Sequence, residues 1–206
     1  MPLLCIKDSL PDVRLALWHL EETAEELLER YDVGKAFSEQ VFLNNKSAHR
    51  RAEIIVVRLL IDCLFSRDVA LNHDKSGRPL LSNGYFISIS HTSNIVAVIV
   101  SNIFEVSVDV EHISNRVVRV ADRFMRSDEK ANETIEYLLH WCVKETLYKL
   151  YSEDDLSFEE MRINHIHYKD NEGEVVAENL RRMESVCLPY FVLENCVLTY
   201  AIKTRK

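Results

Sequence analysis

Tyr85-Phe86-Ile87-Ser88-Ile89-Ser90-His91-Thr92-Ser93-Asn94-Ile95-Val96-Ala97-Val98-Ile99-Val100-Ser101-Asn102 reads as two strands in succession. Apolar residues and serines alternate up to Ser90, and an unbroken apolar run extends from Ile95 to Val100. Both are strand signatures. A third β-rich run, Val106 to Glu111, follows the Ser101-Asn102 break. Upstream, Ser47 caps a helix expected to reach about Phe65, with Ala52, Ile55, Val56, Leu59, Leu60, Cys63 and Leu64 at helical spacing. Before it, Glu21 to Tyr31 reads as a short acidic helix, and Asp74 to Pro79 is a turn by composition. Downstream, Ser114 opens a helix expected through about Met125. A stronger helix spans Asn132 to Tyr151, with Leu139, Cys142, Val143, Thr146, Leu147 and Leu150 as its buried stripe. Short β-rich runs at Arg162 to Tyr168, Val186 to Leu193 and Val197 to Lys203 complete the chain as strands of an antiparallel sheet. Helix then strands, twice over, predicts an α+β fold of two lobes meeting near residue 104. The expected domains are 1–104 and 105–206, although the residues show no sequence-level repeat.

The chain of 206 residues is long enough for a full core, and its 4 glycines and 4 prolines leave little room for a long linker. A net charge of −8 argues against broad nucleic-acid or anionic-membrane binding, so any anionic ligand has to be met by a local group of cations. The 5 cysteines (Cys5, Cys63, Cys142, Cys187, Cys196) are scattered, without a C-x-x-C pair, which fits a reducing compartment. Asp8 and Asp12 interrupt the first residues, which do not read as a signal peptide, and no apolar run approaches the length of a bilayer span. The expectation is a cytoplasmic protein.

Asp109 and Glu111 stand two apart in a predicted strand, so both carboxylates share one face while Val108 and Val110 take the other. Paired carboxylates suit a hard divalent cation and repel each other without one. The same alternation also describes a half-exposed strand with its polar residues outward. Glu145 and Lys149 are i,i+4 neighbours on the flank of the long helix, which by itself describes a surface ion pair. Trp141, on the same helix, reads as a packing residue. Ser90 and His91 sit at a strand end rich in hydroxyls, without the G-x-S-x-G elbow of a serine hydrolase. Gly77-Arg78-Pro79 is a stiff turn open to close approach, and Arg78 can pair with phosphate oxygens. Arg116, Arg119, Arg123 and Arg126 recur at helical spacing, either as a solvated face or as a dock for an acidic partner.

In order along the chain, these pieces resemble the Sfp-type 4′-phosphopantetheinyl transferases, over roughly residues 48 to 150. That family shows a Gly-Lys-Pro turn, a Phe-Asn-x-Ser-His-Ser strand end, Gly-(Ile/Val)-Asp-(Ile/Val)-Glu, and Trp-x-x-Lys-Glu-(Ala/Ser)-x-x-Lys. The counterparts here are Gly77-Arg78-Pro79, Phe86 to Thr92, Ser107-Val108-Asp109-Val110-Glu111, and Trp141 to Lys149; Ala48-His49-Arg50 is similar to the family's arginine-bearing helix start. The resemblance implies two similar α+β lobes forming a pseudo-dimer with an inter-lobe cleft in a monomer. It implies a Mg²⁺ ion held by Asp109, Glu111 and Glu145 against the pyrophosphate of coenzyme A. Arg50 and His91 would contact the nucleotide's phosphates, Arg50 the 3′-phosphate, with Ser90 beside His91. Arg78 and Pro79 would line the adenine side, Lys149 would neutralise the pyrophosphate, and Lys144 would sit at the cleft edge. The partner that receives the phosphopantetheine arm would be a serine of an acidic apo carrier protein, and Glu145, directly or through a metal-bound water, is the candidate base for its proton.

The sequence departs from the family pattern at Ser107 for glycine, Ser88 for asparagine and Arg78 for lysine. None of these removes an implied metal ligand; Arg78 keeps the charge in a different geometry, and Ser107 adds bulk to the strand. Two competing functions share the same residues: a Mg²⁺-dependent nuclease and a non-catalytic coenzyme A-binding protein. The acidic balance and the Lys144-Glu145 order count against the nuclease.

Overall fold

The computed structural model describes residues 3–65 and 68–204, with side chains from residue 11 onward. It is a mixed α+β fold with antiparallel sheets, and it divides into two compact units, one ending at Asn102 and the other beginning at Ile103. No helix among the described residues is long and apolar enough to cross a membrane. Cys63, Cys142, Cys187 and Cys196 are free thiols, and the side chain of Cys5 lies outside the described residues.

In the first unit the chain runs through β1 (Leu3–Leu10), β2 (Val13–His19), α1 (Ala24–Arg30), α2 (Lys35–Asn44) and α3 (Ala48–Leu64). It continues with β3 (Leu71–His73), β4 (Pro79–Leu81), β5 (Phe86–Thr92) and β6 (Ile95–Ser101). The sheet order is β1-β2-β6-β5. β6 is the apolar run of the sequence, and all seven of its residues are buried. Ser47 caps α3, its hydroxyl accepting from the Arg50 amide, and the helix lays Ile55, Val56, Leu60 and Ile61 against Trp18, Val96 and Val98. Thr23 caps α1 in a reciprocal box with Glu26. The turn between β3 and β4 is tied by Asp74, whose Oδ1 accepts from the amides of Ser76 (2.8 Å) and Arg78 (3.0 Å). Gly77 there takes φ +87°, a conformation that favours glycine.

In the second unit β7 (Glu105–His112) leads to α4 (Arg116–Arg119), α5 (Thr134–Leu150), β8 (Met161–Lys169), β9 (Glu172–Asn179), β10 (Glu184–Val192) and β11 (Cys196–Lys203). The sheet order is β7-β11-β10-β9-β8. α5 packs over β7 and β11, and every residue of the stripe read from the sequence is buried. Ser107 is accommodated without a bulge, in register with Ala201 of β11. The helix expected from Ser114 to Met125 is corrected: α4 stops after Arg119, and a separate 3-10 turn covers Ala121–Arg123. Arg116, Arg119, Arg123 and Arg126 therefore do not share one helical face. Arg126 is committed to Asp128 at 2.9 Å and to the Glu159 carbonyl.

Candidate functional site

α5 runs antiparallel to β7, and this sets the geometry of the acidic site. Trp141, Glu145 and Lys149, one turn apart each, thus face Glu111 and Asp109. Trp141 Nε1–H donates to Glu111 Oε1 at 2.8 Å, and Lys149 Nζ donates to Asp109 Oδ1 at 2.7 Å and to the Val108 carbonyl at 3.1 Å. Asp109 is only 4% exposed, while Glu111, Glu145 and Lys149 are half-buried.

The carboxylates register one another electrically. Burial, and then the Asp109 charge, push Glu111 above the ordinary carboxylate range, opposed by the Trp141 hydrogen bond. Burial first, with Asp109 and Glu111 adding to it, raises Glu145 to about 7. The folded state thus holds this proton more tightly than the unfolded chain, so stability is greatest below about 4.5 and declines as pH rises towards about 7. Glu145→Gln removes the charge. Discounted for partial exposure, the gain is about 1 kcal/mol, or roughly 2–4 °C in Tm at pH 8 without divalent cations. Little change is expected at pH 5; thermal unfolding at the two pH values checks the sign.

The carboxylates of Asp109, Glu111 and Glu145, the last two with raised proton affinity, fit a hard divalent cation in charge and in kind. Among the described residues, no three His, Cys, Asp or Glu side chains stand in a ligating arrangement. Asp109 Oδ1 is turned to Lys149 and Glu111 Oε1 to Trp141.

Lys144 corrects the sequence expectation. It is 0% exposed, and its Nζ donates to Glu129 Oε2 and the Phe124 carbonyl, both at 2.7 Å. Its i−3 and i+3 neighbours, Trp141 and Leu147, belong to the packed part of α5, so the ammonium points into the unit rather than to a cleft edge.

The first unit gathers the other predicted residues. A cavity of about 580 Å³ is lined by Arg50, Gly77, Pro79, Ile89 and His91, with Phe37, Val41 and Asn45 from the α2 region. Segments far apart in sequence converge because α3, the β3–β4 turn and the end of β5 meet there. Arg50 Nη1 stands 2.6 Å from His91 Nε2. Arg78, half-buried on the turn, is not among the cavity-lining residues. Ser90 is buried and, by strand alternation, lies on the face of β5 opposite Ile89 and His91.

Two participants were not selected from the sequence. Glu53, 6% exposed, bonds both Arg50 and His91. Its signal was a glutamate on the apolar side of a predicted helix, one turn after an arginine. Trp141 was read as packing; it does pack, edge-on to Phe124 at 5.3 Å, and it also donates to Glu111. A scan against protein-family models finds no match to the chain, and a search of curated proteins likewise finds none.

Proposed function

We propose that the protein is a 4′-phosphopantetheinyl transferase, moving the phosphopantetheine arm of coenzyme A onto a serine of an apo carrier protein. The observation that carries this reading is the electrostatic proximity of Asp109, Glu111, Glu145 and Lys149, drawn from β7 and α5. Its support in the first unit is a cavity bearing Arg50, His91, Gly77 and Pro79, the residue types a phosphorylated nucleoside needs. The two units, each with a 17-residue helix packed on an antiparallel sheet, would be the two lobes of a duplicated fold.

The cavity would take the nucleotide end of coenzyme A. Asp109, Glu111 and Glu145 would hold a divalent cation, Mg²⁺ in this reading, which when bound supplies positive charge to the diphosphate. Lys149 would neutralise charge building on the departing phosphate. Glu145 would accept the proton of the carrier serine. The serine oxygen forms its bond to the pantetheine-side phosphorus as the bridging P–O bond breaks, and 3′,5′-ADP leaves with the electron pair.

Chromatography of 3′,5′-ADP tests the reaction class. Release that requires an apo carrier protein supports the reading. Release that ignores the carrier contradicts it, and so does cleavage of DNA or RNA in place of coenzyme A.

A further inference from the structure

A carboxylate buried like Glu53 is costly unless it is paired, and three basic side chains converge on it. Its Oε2 accepts from Arg50 Nη1 at 2.9 Å; its Oε1 lies 2.9 Å from His91 Nδ1 and 3.3 Å from His49 Nε2. A guanidinium only donates, so at 2.6 Å from Arg50 Nη1 the Nε2 of His91 is the acceptor, and the ring proton sits on Nδ1, aimed at Glu53. Arg50 and His91 line the 580 Å³ cavity, and Glu53 does not.

This arrangement leaves one role for the carboxylate. An anion entering the cavity between Arg50 and His91 takes the place of their mutual contact, and both groups then donate to it. His91 can donate through Nε2 while Nδ1–H stays on Glu53 only as the imidazolium, and a carboxylate at 2.9 Å stabilises that charge. With neutral histidines the Arg50 and Glu53 charges balance, and the His91 imidazolium adds the positive charge that the anion meets. We propose that Glu53 is a positioning residue that makes the Arg50–His91 pair selective for a dianionic phosphate monoester. The inference rests on the coenzyme A reading, in which that monoester is the nucleotide's 3′-phosphate.

Calorimetric affinities for adenosine 3′,5′-bisphosphate and for 5′-AMP test it in wild type, Glu53→Gln, His91→Ala and the double variant. Wild type is expected to prefer the bisphosphate. Glu53→Gln should reduce that preference about 10- to 100-fold, as loss of a supporting carboxylate does at ligating histidines, with 5′-AMP affinity unchanged. The double variant should lose less than the sum of the two single losses, because Glu53 acts in part through His91. Equal losses for both nucleotides, or additive losses in the double variant, would overturn the proposal. A wild type without preference sinks this inference and the coenzyme A reading together; preference that persists in Glu53→Gln sinks only the inference. Glu53→Met, similar in volume and without a buried donor, takes its place should the glutamine variant fail to fold.

Discussion

Lys144→Ala is expected to destabilise the protein by about 3–5 kcal/mol, because it strips a buried carboxylate of its cation. The side chains of Lys144 and Glu129 are 0% and 1% exposed, so the pair is shielded from bulk solvent. Burial pulls the Lys144 ammonium below its ordinary proton affinity, and the Glu129 hydrogen bond and charge hold it up. Glu129 also accepts from the amides of Ile163 (2.8 Å) and Arg126 (3.0 Å), so it stitches β8 to the segment before α5. A loss of that size in a chain of 206 residues lowers Tm by about 6–20 °C. Lys144→Met with Glu129→Gln, which removes both charges, should recover part of it. A drop in turnover at unchanged Tm would contradict the structural role and return Lys144 to the chemistry.

Asp109→Ala has the opposite profile. It should abolish transfer, by about 10³-fold or more, because charge stabilisation at a transferring phosphoryl group is worth several kcal/mol. Stability should change little. The substitution removes the Lys149 ion pair, but it also relieves the repulsion that Asp109 imposes on Glu111 and Glu145. With that charge gone the Glu145 proton affinity falls from about 7 towards the ordinary carboxylate value, which NMR titration of Glu145 reads without any substrate. Turnover within tenfold of wild type would remove Asp109 from the mechanism.

Both sites were legible in part, for different reasons. Period-two spacing put Asp109 and Glu111 on one face, and four-residue spacing put Glu145 and Lys149 on one flank. Their meeting depends on α5 crossing β7 in register, which no local pattern encodes. The regular segments with strong periodicity, α3, α5, β5, β6 and β7, were read to within a few residues of their ends. β1, β2, α2 and β9 were not assigned: β1 carries Lys7 and Asp8 mid-strand, and β9 opens on Glu172-Gly173-Glu174. The arginine series looked helical because its spacing was considered without the backbone, which leaves helical φ/ψ at Val120 (φ −114°, ψ 9°). Glu53 is not singled out by the sequence, and Lys144 is placed at a cleft edge by the resemblance alone, yet both are buried. Lys144 is buried because Glu129 neutralises it, and Glu53 because Arg50 pairs with it and His91, distant in sequence, donates to it.

Intact-mass measurement of an apo carrier protein, incubated with coenzyme A, Mg²⁺ and this protein, tests the transferase assignment most directly. The account predicts a gain of one phosphopantetheine per carrier with the wild type and no gain with folded Asp109→Ala. Acyl, polyketide and peptidyl carriers that all keep their apo mass beside the folded wild-type protein would contradict it.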